Sequence, residues 1–343
     1  VPQLFLYGTL LFVQDSLLTW LDERGDGSGH QQIGTDHWFM ARTTANETNQ
    51  AMAAFFEATS DSDTTTAASE SDSDTNAPTA APASTVLDDQ FCQVYYSLDD
   101  GNCETLRDSV RSEIRGNNTP TLELGYPSEK PVMLFFHGWP DTSALFANQF
   151  AAFCGDEGEF SCVAPSMMNY NPDVDPVYDQ DKLSWPVQAD VLHEVVTDMG
   201  LEDITLVIHD FGSIVGFQYT VRYPETVKRV VAMDIGNNVE GVMAPSQNAS
   251  LFSFQLQAIS AYLSQNSTAM NEVIQSLAPP CADCQIAPDT DNGVEYLLGW
   301  MHYNFINEDP AWTSFFDEPE ANFNFQVTPS WPEEVPQLFL YGT

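Results

Sequence analysis

Short apolar runs alternate along the chain with segments whose apolar residues recur at helical spacing. Residues 2–7 form an apolar run that stops at Gly8 and predict a buried strand. Residues 15–23 have helical spacing, and residues 30–40 predict a short strand and a turn. Residues 44–57 place apolar side chains on one face of an amphipathic helix. Further strands are predicted near 91–98 and 121–126, then at 131–136, 160–165, 203–210 and 227–235. Helices are predicted at 142–153, 185–200 and from Phe211 to about Pro224. The later strands are almost continuously apolar, which is the pattern of strands covered on both faces. Their alternation with helices predicts an α/β fold built on a mostly parallel sheet.

Two shifts in composition divide the chain. Residues 58–86 are almost entirely Ser, Thr, Asp, Ala, Pro and Glu, a composition that cannot bury a core. They predict a disordered acidic linker over 58–88. Residues 236–334 are rich in Phe, Trp, Tyr and Gln and are broken by Pro and Asn, which predicts a helical cap over the strand ends. The remaining segments, 1–57 and 89–235, then form two parts of one core. Residues 335–343 repeat residues 1–9, VPQLFLYGT, without a change. Only one copy can fill a single strand slot, so the other is expected to be displaced or to pair at an edge. A tandem array of similar domains, a closed circular template and a permuted record of the sequence each account for the repeat. A tandem array would make neighbouring copies of the domain its partners.

At 343 residues and 43% hydrophobic content, the chain can bury a large core. No apolar run approaches the ~20 residues needed to cross a bilayer, so no membrane span is expected. Lys and Arg number 10 against 50 Asp and Glu, for a net charge of −40. Such a surface repels nucleic acid and anionic membranes, which excludes both as partners. The six cysteines fall into three local pairs: Cys92 with Cys103, Cys154 with Cys162, and Cys281 with Cys284. Together with N-x-S/T sequons at Asn46, Asn117, Asn248 and Asn266 they predict disulfides and a secreted or luminal location. No second CxxC and no His cluster accompany Cys281 and Cys284, so no metal is expected there. Val1 in place of Met fits a fragment or a processed form.

The strongest chemical signal is Ile208-His209-Asp210-Phe211-Gly212-Ser213, between a strand and a helix. This is the setting of a nucleophile elbow, with Asp210 as the presented residue and Gly212 allowing strand and helix to pack closely. An isolated Asp after a strand more often caps the next helix; the flanking pattern favours the elbow. A carboxylate nucleophile attacks carbon and forms an alkyl-enzyme ester, which suits epoxides and alkyl halides. The second signal is His137-Gly138-Trp139-Pro140-Asp141 after another strand. This turn commonly holds a cis X-Pro bond. It directs the Trp139 N–H, together with the Phe211 N–H, toward an oxyanion hole.

On these motifs, residues 132–236 resemble the epoxide hydrolase and haloalkane dehalogenase branch of the α/β hydrolases. The stretch LVIHDFGSIVGFQYTVRYPETVKRVVAMDI is especially similar to haloalkane dehalogenases. The resemblance implies an eight-stranded-type, mostly parallel sheet with helices on both faces, a helical cap, a nucleophile–His–acid triad and no cofactor. Its substrates would be a small apolar epoxide or alkyl halide and water. The segments that usually follow the cap open this chain instead, so the resemblance implies circular permutation. Gly34-Thr35-Asp36-His37-Trp38-Phe39 resembles the loop of the catalytic His, and 44–57 resembles the last helix. His37 is then the general base, with Asp36 beside it a surface or supporting carboxylate. Asp234, after strand 227–235, is the expected triad acid; the alternative, after PQLFLYG, offers only Asp15, too far along.

The chain departs from both relatives. Phe211 stands where dehalogenases carry a halide-binding Trp, and Trp139 stands where many carry Asn. Phe254 stands where epoxide hydrolases carry the first cap tyrosine. Tyr303 resembles the second, and Tyr262 and Tyr296 are substitutes without a motif; packing is the ordinary role for each. The leading expectation is an epoxide hydrolase-like enzyme. A dehalogenase-like hydrolase and a non-catalytic module of a tandem-repeat protein are the alternatives.

Overall fold

The computed structural model describes residues 15–33, 39–41, 44–60, 109–139, 141–154, 158–170, 185–235 and 334–341. It also describes residues 106, 183, 242–243, 257–264, 266, 268–270, 272–273, 323–324 and 331–332. In chain order the elements are α1 (Asp15–Glu23), β1 (Gly29–Gln32), α2 (Ala45–Ser60), β2 (Arg111–Arg115) and β3 (Thr119–Leu124). β4 (Val132–Phe136), α3 (Ala147–Phe153), β5 (Ser161–Pro165), α4 (Trp185–Met199), β6 (Ile204–His209), α5 (Phe211–Arg222) and β7 (Val227–Met233) follow. The last are β8 (Val242–Met243), β9 (Phe323–Asn324) and β10 (Gln337–Tyr341).

Eight strands form one sheet in the order β1-β10-β7-β6-β4-β5-β3-β2. β3 runs antiparallel to both its neighbours, and every other pairing in the sheet is parallel. The continuous apolar strands behave as their composition requires. In β4, Leu134 and Phe136 face one hydrophobic core with α4 and α5, while Met133 and Phe135 face a second core with α2 and α3. Both faces are dry, so the central strands alternate between two cores rather than between core and solvent. Burying one such side chain contributes roughly 1.5–3 kcal/mol, so the two cores dominate the stability of the fold.

The expected strands at 131–136, 160–165, 203–210 and 227–235 are present, and so are the helices at 15–23, 44–57 and 185–200. α2 runs three residues past its expected end, into the stretch assigned to the linker, because Thr59 and Ser60 return their hydroxyls to Phe55 O and Phe56 O. Three expectations need correction. The outermost strand of the sheet is β2, Arg111–Arg115, which the apolar pattern did not reveal. The segment expected as one helix over 142–153 opens as a 3-10 turn, Ser143–Phe146, before α3. The span assigned to a purely helical cap contains the antiparallel pair β8–β9 besides its helical residues 257–263. The strand expected at 91–98 and the linker beyond Ser60 lie outside the described residues.

Of the two identical nine-residue segments, it is the second that fills the sheet. β10 pairs with β7 on one side and with β1 on the other. Residues 1–9 lie outside the described residues. Residues from near the two ends of the chain are thus sheet neighbours, and side chains fasten the seam. Arg24 donates to Val335 O at 3.1 Å, and Gln337 N–H donates to Ser28 Oγ at 2.9 Å. Arg229 on β7 donates to Thr59 Oγ1 of α2 and lies 4.9 Å from the Phe56 ring centroid. Cys154 and Cys162 form a disulfide that joins the end of α3 to β5. The other two expected cysteine pairs lie outside the described residues.

Candidate active site

β6 ends at His209, and the backbone then reverses at Asp210 with φ 51° and ψ −131°. A non-glycine residue held there is strained, which costs on the order of 1–3 kcal/mol and persists only where the surroundings impose it. Here two glycines impose it. A Cβ at Gly212 would collide with the carbonyl oxygens of Phe136 and His137, and one at Gly138 would collide with the Asp210 carboxylate. The turn therefore lets β4, β6 and α5 approach within backbone distance and lifts the Asp210 side chain above the strand ends.

The Asp210 carboxylate makes no capping hydrogen bond to α5, so helix capping does not account for it. Its Oδ1 accepts the Trp139 N–H at 2.8 Å. The Phe211 nitrogen lies beside Gly138 at the same point, where α5 begins. The Trp139 N–H and the positive end of α5 thus lie at the Asp210 carboxylate. Pro140, where a cis bond was expected, lies outside the described residues.

The loop around Gly138 is fixed from behind. His137 is fully buried; its Nε2 accepts the Met167 N–H at 3.0 Å and its Nδ1 lies 3.0 Å from Gly138 O. The first contact leaves Nε2 without a proton, so Nδ1 carries it and donates to the carbonyl. Burial holds the His137 pKa down at about 4, so the ring stays neutral around pH 7. Asp141 and His209, both with fully buried side chains, stand 4.0 Å apart, His209 directly preceding Asp210. Sequence reading missed that pair. Asp141 was visible inside HGWPD, but nothing local linked it to His209.

β7 delivers Asp234 to the same edge. The register sets His209 opposite Met233, so Asp210 and Asp234 leave adjacent parallel strands side by side. Asp234 has φ 71° and is buried, and its N–H donates to Leu340 O at 2.9 Å. β1 points the chain to this edge as well, since Leu340 pairs with both Met233 and Gln31. His37 and Asp36, five and four residues beyond the end of β1, lie outside the described residues. Of the cap tyrosines, Tyr262 lies half-buried on the helical residues 257–263, and Tyr296 and Tyr303 lie outside the described residues. Phe254 also lies outside them.

One mostly parallel eight-stranded sheet with helices packed on both faces and a strand-to-helix elbow at Asp210 is an α/β-hydrolase fold. Residues 131–278 match the family model described as alpha/beta hydrolase fold. Among curated relatives, Epoxide hydrolase 1 of Caenorhabditis elegans is 29% identical over 107 residues, 31% of this chain and 26% of that protein. A cis-3-alkyl-4-alkyloxetan-2-one decarboxylase of Shewanella oneidensis is 31% identical over 138 residues, 39% of this chain and 41% of that protein. A haloalkane dehalogenase of Sphingobium indicum is 27% identical over 179 residues, 51% of this chain and 59% of that protein. The chain thus spans between 26% and 59% of the length of these relatives.

Proposed function

We propose that the chain is a hydrolase that opens epoxides through a covalent ester on Asp210. The observation that carries this reading is the 2.8 Å bond from Trp139 N–H to Asp210 Oδ1. In this reading one carboxylate oxygen sits at the oxyanion hole while the other attacks carbon. Attack forms the C–O bond of the ester and breaks a ring C–O bond, and the alkoxide takes a proton from a donor in the site. His37, oriented by Asp234, then removes a proton from water, which adds to the ester carbonyl. The Trp139 and Phe211 N–H groups stabilise the resulting oxyanion, and its collapse regenerates Asp210 and releases a diol. The epoxide hydrolase relatives support this choice of substrate.

The second reading is a haloalkane dehalogenase that uses the same ester with halide as the leaving group. The dehalogenase relatives favour it, since their similarity runs over 51% of the chain. Both readings take β1, paired with β10, as the strand that leads to the His37 segment.

The test is turnover of a panel of aryl and alkyl epoxides and alkyl bromides, read as diol and as bromide. Diol formation is expected, and Asp210→Ala should remove it by at least about 10⁴-fold, as expected when a covalent nucleophile is lost. Bromide release without diol would select the second reading. Turnover that survives Asp210→Ala in folded protein would reject both.

A further inference from the structure

Segments far apart in sequence meet at Gln149, a polar side chain that the chemistry above does not use. Gln149 lies on α3, in the stretch of chain that also carries the elbow, and is fully buried. A buried amide has to be matched, and both of its N–H donors reach back to α2 and the turn before it. Nε2 donates to Met40 O at 3.0 Å and to Asn49 Oδ1 at 3.0 Å, across 109 and 100 residues of sequence. Asn49 returns a bond from Nδ2 to Asn148 O at 3.4 Å, so two consecutive residues of α3 hold this region.

Met40 is the middle residue of a 3-10 turn, Phe39–Ala41, that precedes α2. A turn this short satisfies few of its own carbonyls, and side chains complete it. Thr44 Oγ1 donates to Phe39 O at 2.9 Å, and Gln149 donates to Met40 O. Phe39 and Met40 are fully buried in the core shared by α2, α3 and β4. On the other side, Ile33, one residue past β1, donates its N–H to Tyr341 O at 2.5 Å. His37 falls between these two fixed points, two residues before Phe39. Two residues of chain reach at most about 7 Å, so the anchoring of Phe39 and Met40 bounds where His37 can stand.

We propose that Gln149 is a positioning residue for the base: by holding the Phe39–Ala41 turn against α3, it sets His37 in place for hydrolysis of the ester on Asp210. The inference rests on the hydrolase reading above and deepens it. Gln149 moves no proton itself and acts only through the turn. Ester formation uses Asp210, Trp139 and Phe211, none of which depends on that turn. Hydrolysis requires His37 at hydrogen-bond range of the attacking water. Misplacing a reacting group by about 1 Å costs up to about 10²-fold in rate. Loss of Gln149 therefore acts on the second step alone.

Gln149→Met keeps nearly the same shape and removes both donors. Rapid-quench kinetics with an aryl epoxide separates ester formation from ester hydrolysis, and intact mass reads the ester that accumulates. Ester formation should keep its wild-type rate, and hydrolysis should slow by about 10- to 10²-fold. In His37→Gln, which has no base to position, Gln149→Met should slow hydrolysis no further, as expected of two residues that act through one path. A merely structural role would lower the urea midpoint and leave both rates of the folded enzyme alone, or would slow both steps together. Either result would overturn the proposal, and so would additive effects of the two substitutions. Should Gln149→Met fail to fold, Asn49→Ala, at a half-buried helical position, releases the amide from its other acceptor. It should slow hydrolysis selectively but less, and unchanged hydrolysis there would equally overturn the proposal. Wild-type protein that forms no ester with epoxide or bromide would reject the hydrolase reading, and this inference with it. Normal wild-type turnover without a selective effect in the variants would reject this inference alone.

Discussion

The two halves of the sheet's C-terminal edge are built in different ways. Residues 111–235 form one continuous block in which β4, β6 and β7 lie side by side and their ends present Trp139, Asp210 and Asp234. The other half joins β10 to β1, two strands whose hydrogen-bonded seam spans sequence separations of 309 and 311 residues. The first half is fixed by close backbone packing at Gly138 and Gly212. The second depends on the burial of β10 and on side-chain links such as Arg24, Ser28 and Arg229. In the proposed reaction the same division runs through the chemistry. The continuous block forms the ester, and the seam carries β1, which ends five residues before His37, the proposed base for hydrolysis. Disturbance of the seam should therefore affect stability and the second step, while disturbance of the block should affect the first.

The largest effect expected at the seam comes from β10. Phe339 is fully buried against the core that contains β6 and β7. Phe339→Ala should cost about 3–5 kcal/mol, read as the shift of the urea midpoint. Phe5→Ala, the same change in the other copy of the segment, should cost under about 0.5 kcal/mol. Equal costs would mean that the two copies share the slot, and reversed costs would mean that residues 1–9 hold it.

A smaller effect is expected within the continuous block. His137 has a folded pKa of about 4 against an ordinary 6.5. The unfolded chain binds this proton first as pH falls, so the contribution of the neutral ring is complete above pH 6.5 and declines toward pH 4. The loss amounts to about 3 kcal/mol at most. Urea unfolding at pH 7, 5.5 and 4 should show a steeper decline for wild type than for His137→Asn. Parallel curves would contradict a buried neutral His137.

The sequence made the continuous block more legible than the seam. Runs such as Val132–Phe136 and Ile204–His209 are apolar at every position or nearly so, and burial on both faces demands that. β2 escaped notice because RSEIR is a charged edge strand. Its Arg111 and Arg115 are held by Glu123 across the hairpin, a contact visible only once β2 and β3 are paired. The elbow could be read because its requirements are local, a carboxylate between a strand and a helix with a glycine two residues on. The pairing of Asp141 with His209 could not be read, because it is a contact between distant segments. The repeat at the chain ends was plain in the sequence, but which copy enters the sheet depends on which one completes the core between β7 and β1.

The covalent ester on Asp210 can be tested most directly in His37→Gln. Without its base the enzyme should form the ester and fail to hydrolyse it. Intact mass after incubation with an aryl epoxide should rise by the mass of the whole epoxide, and peptide mapping should place the added mass on Asp210. Folded His37→Gln protein that gains no mass from an epoxide the wild type hydrolyses, or that carries the adduct on another residue, would contradict the account.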